Sequence, residues 1–335
     1  MSNLRLIQYK SAEGRRAVGL VTADGTHAHP LKGFETVFQL AEAAVAQKRP
    51  LAELVREAAG AETVDYLALL QAGQVLQPIA HPEPARFFLT GTGLTHLGSA
   101  DARNKMYVTT HGSNAPESDS MKIFRMGIKG GKPGAGQIGV QPEWFYKGVG
   151  TEIVAPEAAL PLPAYALAGA EEPEIVGLYI VDGDGRPRRI GFTLGNEFSD
   201  HVTEAQNYLY TQHSKLRACS LGPELLIGEL PPDIHGASRI IRNGKVLWES
   251  EVLLGETNMS HSIANLEHFH FRYSMFRRPG DLHAYFMGAA VLSYADGVKT
   301  QPGDTFEIDV PVFGQPLRNR MELQPDEGFV AVTSL

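Results

Sequence analysis

The chain carries one cysteine, Cys219, in 335 residues. A lone thiol builds neither an intrachain disulfide framework nor a cysteine-based zinc site. Its apolar flanks suit a buried structural thiol better than a nucleophile. Long apolar runs are missing too, since no segment approaches the roughly 20 residues that cross a bilayer. The opening Met1-Ser2-Asn3-Leu4-Arg5-Leu6-Ile7 lacks the charged-then-apolar pattern of a secretory signal. A cytoplasmic protein with no membrane partner is expected. Strong basic runs are also absent: 30 lysines and arginines against 38 acidic residues leave a formal charge of -8, which argues against nucleic acid as a partner. The Gly-x-x-x-x-Gly-Lys-Ser/Thr phosphate loop is not met anywhere.

What the chain does have is apolar content, 43% of its residues, enough for a large core in one elaborate domain or two modest ones. Residues 4–31 read as short strands joined by Gly and Asp turns, and residues 35–75 carry Val37, Leu40, Ala41 and Ala44 at helical spacing. A small α/β domain over residues 1–80 is expected, followed by a second domain over 81–335. The three prolines of residues 77–84 read as a linker or extended crossing between them. Beyond it, strands are expected at 86–89, 144–147, 175–181, 189–194, 240–246 and 305–310. Helices are expected at 203–215 and 258–271, the latter after a cap at Thr257. So many strands with few helices argue for a mixed β-roll or sandwich. Six glycines between Gly127 and Gly139 leave little side chain to pack and read as a mobile loop, a candidate lid.

The chemistry concentrates around Glu172-Pro173-Glu174. Period-2 geometry points both carboxylates to one face of a strand. A solvated face is the ordinary reading of such a pair, but here Val176, Leu178 and Ile180 continue the glutamate face while Ile175, Tyr179 and Val181 make the other face apolar. The strand is therefore expected to be buried on both sides. Like charges near a core repel and lose hydration, and a hard divalent ion with oxygen ligands is the simplest remedy. The turn Asp182-Gly183-Asp184-Gly185 leads to a returning strand on which Ile190, Phe192 and Leu194 share one face. Gly191, Thr193, Gly195 and Glu197 share the other, the glycines leaving open space for a third carboxylate.

These blocks, followed in order by Asn207-Tyr208-Leu209-Tyr210 through Ser214-Lys215 and by Leu221-Gly222-Pro223, resemble the fumarylacetoacetate hydrolase superfamily. Within it they are similar to the branch of 2-keto-3-deoxy sugar acid dehydratases that act on deoxypentonates. The resemblance covers about residues 86–310. It implies an α+β fold, a mixed β-sandwich roll of that superfamily's type behind the small N-terminal domain. It implies Glu172, Glu174 and Glu197 as ligands of Mg2+, with Mn2+ or Ca2+ as substitutes, and Lys215 as the catalytic lysine. The strand Pro142-Glu143-Trp144-Phe145-Tyr146-Lys147 and the helix from Thr95 to Arg103 are weaker matches; with the loop Gly288-Ala289-Ala290 they put Thr95, Ser99, Lys147 and Ala289 about the substrate. The chain departs from the family in Glu197, where aspartate is usual, in Ser199-Asp200-His201, where Ser-Ser-Arg is usual, and in Ala289, where a hydroxyl is usual.

The implied reaction removes water from a 2-keto acid, in which the ion would stabilise the enolate formed when C3 loses a proton. Lys215, beside a dication and away from bulk water, is expected to be neutral and to act as the base. Glu204 or His96 would protonate the departing C4 oxygen. Arg125 and Lys147 are candidates for the substrate carboxylate. His261, His268 and His270, in a stretch with helical spacing, read as packing or surface residues. The alternatives are a carbon-carbon hydrolase of 2,4-dioxo acids using the same metal and a non-catalytic sugar-acid binding protein. A homodimer or homotetramer is the assembly that the resemblance implies.

Overall fold

A computed structural model describes residues 3–98 and 118–335. Two sheets dominate it, one of 13 strands and one of 5 among the described residues. The large sheet runs from Val64–Asp65 through His27–Pro30, Arg16–Val21, Leu4–Lys10 and Leu225–Ile227 to Pro187–Asn196. It continues through Pro173–Val181, Leu282–Phe286 and Phe87–Gly91 to Phe145–Val149. The smaller sheet orders Lys245–Leu254, Ile234–Arg242, Thr305–Asp309, Leu317–Leu323 and Leu160–Leu162. This is the mixed α+β architecture expected, with few helices.

The central strand Pro173–Val181 is buried at all nine residues, as its two apolar faces require. On one face Val176, Leu178 and Ile180 share a core with Val37, Leu40 and Val55 of the helices Val37–Gln47 and Leu51–Ala58. On the other, Ile175 and Tyr179 pack with Ile234, Val252, Ile308 and Leu317 of the small sheet and with Leu266 of the helix Ile263–Phe271. The leading residues extend the same sheet, Leu4–Lys10 pairing antiparallel with Leu225–Ile227. The proline-rich crossing is packed as well: Ile79 is buried and His81 lies edge-on to Phe38.

Several expected elements differ in detail. Asn243 and Gly244, both with positive φ, turn the chain between Ile234–Arg242 and Lys245–Leu254, so the single strand expected at 240–246 is two strands of a hairpin. The helix expected at 203–215 is broken into His201–Gln206, a 3-10 turn at Tyr208–Tyr210 and Thr211–Lys215. The later helix begins at Ile263, where the Ser262 hydroxyl accepts from Asn265 N, and Thr257 lies in a separate turn.

The glycine-rich stretch is a loop only from Gly131 onward, where Gly136 has φ +74° and open space about it. Gly127 and Gly130 belong to the helix Asp119–Gly130, and a Cβ at Gly131 would lie 2.4 Å from the Ser260 carbonyl. Gly127 and Gly131 bring the helix end onto Ser260 and His261, and Gly130 brings it onto Val140, close approaches that a side chain would prevent.

Candidate active site

The register of two strands assembles the carboxylates. Pro173 pairs with Asn196 and Glu174 with Gly195, and the Glu197 amide donates to the Glu172 carbonyl at 3.0 Å. Glu172 and Glu197 thus face each other across the strand ends, with Glu174 two pairs inward. The Asn196 Oδ1 accepts from the Glu172 amide at 3.1 Å and fixes that end of the strand. All three carboxylates are buried, and their oxygens lie within 4.8 Å of one another.

Space for them does not come from Gly191 and Gly195. A Cβ at Gly191 would lie 2.3 Å from the Leu226 carbonyl, and one at Gly195 would lie 2.5 Å from Val176 Cγ2. These glycines serve close strand packing, which corrects the open space expected beneath Glu197. Ile190 also leaves the face it was expected to share: the ladder shifts between Leu178 and Tyr179, and Ile190 joins the core of Val176 while Phe192 and Leu194 join that of Ile175.

Lys215 closes the short helix Thr211–Lys215 and is buried, its Nζ donating to Glu172 Oε1 at 2.5 Å and Glu197 Oε2 at 2.6 Å. It also lies 3.1 Å from Ser199 Oγ and 5.0 Å from the centroid of the Phe145 ring. Burial alone would disfavour the ammonium, but Glu172 and Glu197 outweigh it and hold the Lys215 pKa above the usual lysine range. With the carboxylates uncovered, Lys215 is charged, whereas a neutral base was expected.

Lys147 reaches the same group from the strand Phe145–Val149. Its Nζ lies 2.6 Å from Glu197 Oε1 and donates to the Phe198 and Lys215 carbonyls at 2.9 and 3.0 Å. Its ammonium is thereby committed to Glu197 and the surrounding backbone. Arg125, the other candidate for the substrate carboxylate, is exposed on the helix Asp119–Gly130.

His201 opens the helix His201–Gln206 after the Asp200 cap, whose carboxylate accepts from Thr203 N. Its Nε2 lies 2.8 Å from Glu172 Oε1. Burial works against the imidazolium, yet Glu172 and Glu204 raise its pKa. Glu204, one helical turn further on, is buried, and its carboxylate lies within 4.8 Å of ligand atoms on Glu172 and His201.

Thr95, His96 and Ala289 meet the triad through one loop. The Gly288 amide donates to Glu174 Oε2 at 2.7 Å, and Thr95 Oγ1 donates to the Met287 carbonyl at 2.5 Å. Gly288 has φ +96°, and a Cβ there would fall 2.0 Å from Thr95 Oγ1, so only glycine fits. Ala289 is buried beside it, and the Ala290 amide donates to the Pro173 carbonyl at 3.3 Å. His96 Nδ1 lies 3.1 Å from Thr95 Oγ1, and burial pushes its pKa down to about 4. Ser99 lies outside the described residues.

The electrostatics of the triad call for a cation. Burial, with Glu197 and Glu172 adding like charge, raises the Glu174 pKa well above the carboxylate range. Glu197 is raised to about 7, burial prevailing over Lys147 and Lys215. Glu172 moves the other way, because Lys215 and His201 outweigh its burial. Lys147 and Lys215 both engage Glu197, and Lys215 and His201 engage Glu172, while no cationic side chain among the described residues contacts Glu174. Glu174 Oε1 is buried without a hydrogen-bond partner. An oxygen-rich, buried set with an orphaned lone pair fits a hard divalent ion held by Glu172, Glu174 and Glu197.

No family model matches the sequence. A probable 2-keto-3-deoxyxylonate dehydratase of Haloferax volcanii is 27% identical over 182 residues, 52% of this chain and 57% of that protein. The 2-dehydro-3-deoxy-D-arabinonate dehydratase of Saccharolobus solfataricus is 28% identical over 118 residues, 34% of this chain and 38% of that protein. The chain thus matches little more than half the length of the first relative and less of the second. A solved structure of 2-keto-3-deoxy-D-arabinonate dehydratase complexed with magnesium and 2,5-dioxopentanoate superposes with a TM-score of 0.68. The match covers 96% of this chain and 99% of that one at 18% identity. The chain has the fold of 2-keto-3-deoxy-D-arabinonate dehydratase. The branch named by these dehydratases is the one that the sequence motifs resemble.

Three contributors to this site carried no role in the sequence reading. Ser199 and His201 follow Glu197 at two and four residues, which is a local signal for reaching back to one cluster. The Gly288 amide, a backbone donor on a distant loop, leaves no mark in side-chain chemistry.

Proposed function

We propose that the chain is a divalent-cation-dependent hydro-lyase that removes water from a 2-keto-3-deoxy pentonate, giving 2-oxoglutarate semialdehyde. The observation that carries this reading is the Lys215 ammonium, bridging Glu172 and Glu197 inside a buried triad of carboxylates. The named relatives and the fold support the substrate class. Magnesium, held by Glu172, Glu174 and Glu197, would supply a Lewis acid for the keto oxygen and the negative charge that develops there.

Lys215 Nζ is the proposed acceptor of the C3 proton. Burial favours the neutral amine of Lys215, while Glu172, Glu197 and Glu204 favour its ammonium in the uncovered site; with the charge of Glu172 and Glu197 engaged elsewhere, Glu204 alone of the three would oppose burial. Phe145 beneath it and Ser199 beside it restrict where Nζ points. The C4 hydroxyl departs with a proton, for which Glu204 is the proposed donor. His96, with its pKa near 4, is neutral at physiological pH and has no imidazolium proton to give. Thr95 and Ala289 are proposed to border the substrate, and Lys147 to position Glu197.

Purified protein supplied with a 2-keto-3-deoxy-D-pentonate, whose single stereocentre is C4, is expected to form the semialdehyde, to stop with excess chelator and to resume with Mg2+ or Mn2+. Pyruvate as sole product would assign carbon-carbon cleavage instead, and binding of the acid without turnover would assign a binding protein. The reading includes a cytoplasmic homodimer or homotetramer, which light scattering resolves.

A further inference from the structure

At the turn-ward ends of the two carboxylate strands, a cleft of about 820 Å³ opens between the sheet and the helix Ile263–Phe271. Four arginines line it, Arg188, Arg189, Arg272 and Arg277, against one lining acidic residue, Glu267. This is an unusual concentration for a chain of formal charge -8.

Two of the four are already engaged. Arg188 lies 2.8 Å from Asp182 Oδ2, and Arg189 lies 3.2 Å from Glu267 Oε1, which also accepts from the Tyr179 hydroxyl at 2.9 Å. Arg272 and Arg277 have no carboxylate within 4.0 Å among the described residues, although Arg5, Arg49, Arg86, Arg217 and Arg242 elsewhere each have one. Arg272 is also held in place, its guanidinium lying 5.3 Å from the Phe269 ring centroid and 5.8 Å from that of Tyr273. Two uncompensated, planar, five-donor groups in a concavity focus positive potential and match the tetrahedral oxygens of a phosphate group. The volume exceeds what a bare phosphate fills and falls in the range of small-molecule sites. Pro187 and the edges of Tyr179 and Phe271 supply an apolar wall.

We propose that this cleft binds a small organic phosphate, a phosphomonoester on a body the size of a sugar, held by Arg272 and Arg277. Tyr179 lies five residues along its strand from Glu174, about 17 Å at strand rise, so the cleft is separate from the carboxylate triad and its occupancy does not depend on the reaction assigned there.

Calorimetric titration of the full chain with glucose 6-phosphate, inorganic phosphate and glucose, at physiological salt, tests this. Glucose 6-phosphate is expected to bind with Kd of about 1 mM or tighter, more tightly than inorganic phosphate, and glucose not at all. Both arginines are exposed, so R272A/R277A is expected to fold and to weaken glucose 6-phosphate at least about tenfold. R15A/R16A, which removes two arginines lining a different surface cleft, is expected to leave the affinity unchanged. No binding at about tenfold above the expected Kd, or equal weakening by both double variants, overturns the proposal. So does binding of inorganic phosphate as tight as that of the ester.

Discussion

The Lys147 ammonium lies 2.6 Å from Glu197 Oε1 with neither side chain exposed to solvent. A buried ion pair of this kind does little for stability by comparison with apolar packing, but removing one partner strands the other. Lys147→Ala is therefore expected to destabilise the fold by about 3–5 kcal/mol, read as a shift in the denaturation midpoint. A change under about 1 kcal/mol would show that Lys215, already 2.6 Å from Glu197 Oε2, suffices as its partner.

Lys215 meets the same carboxylate from its other oxygen, so its removal tests chemistry more than folding. Lys215→Ala is expected to lower turnover by about 10²–10⁴-fold while Mn2+ still binds, followed by electron paramagnetic resonance of the ion. Near wild-type turnover would remove Lys215 from the proton transfer.

Gly191 sits where a Cβ would strike the Leu226 carbonyl, a backbone atom that cannot rotate away. Gly191→Ala should cost about 1–3 kcal/mol by forcing Pro187–Asn196 from Leu225–Ile227. An unchanged melting temperature would mean that room exists beside this strand after all.

Acid stability should report the buried histidines. His270 Nε2 lies 3.1 Å from His283 Nδ1, and burial pushes His283 down to about 4 and holds His270 well below the usual histidine value. A histidine whose folded pKa is depressed leaves the unfolded chain the better proton binder. Its stabilisation is complete above about pH 6.5 and is lost as pH falls through the window down to about 4. For His283 the full loss is about 3 kcal/mol. Denaturant midpoints between pH 7 and pH 4 are expected to fall, and to fall less in His283→Gln; equal slopes in the two proteins would contradict this origin.

The triad was legible in the sequence because two strands of period 2, joined by an Asp-Gly turn, fix which residues face each other. Lys215 was legible only through the ordered motif around it, since a lysine at a helix end is ordinarily solvated. Lys147 illustrates why the rest was hidden: on a short strand its residue type signals a surface, and burial follows from Glu197 some fifty positions later. Ile190 was misplaced because a bulge shifts its face, and the adjacent Gly191, which can mark such a bulge, was read as open space instead. Gly127 and Gly130 were placed in the loop that follows them, whereas they belong to the helix Asp119–Gly130. Glycine marks both freedom and crowding, and only the partner surface, here Ser260 and His261, distinguishes them.

The bulge at Ile190 separates the hairpin into two lengths with independent bookkeeping. On the carboxylate side every residue opposite Glu172–Glu174 is dictated by the ladder, where a slip of one position would turn the acids outward. On the far side the discontinuity absorbs a changed residue count, so insertions or deletions in the turn at 182–186 alter the rim of the arginine-lined cleft while the acids keep their alignment.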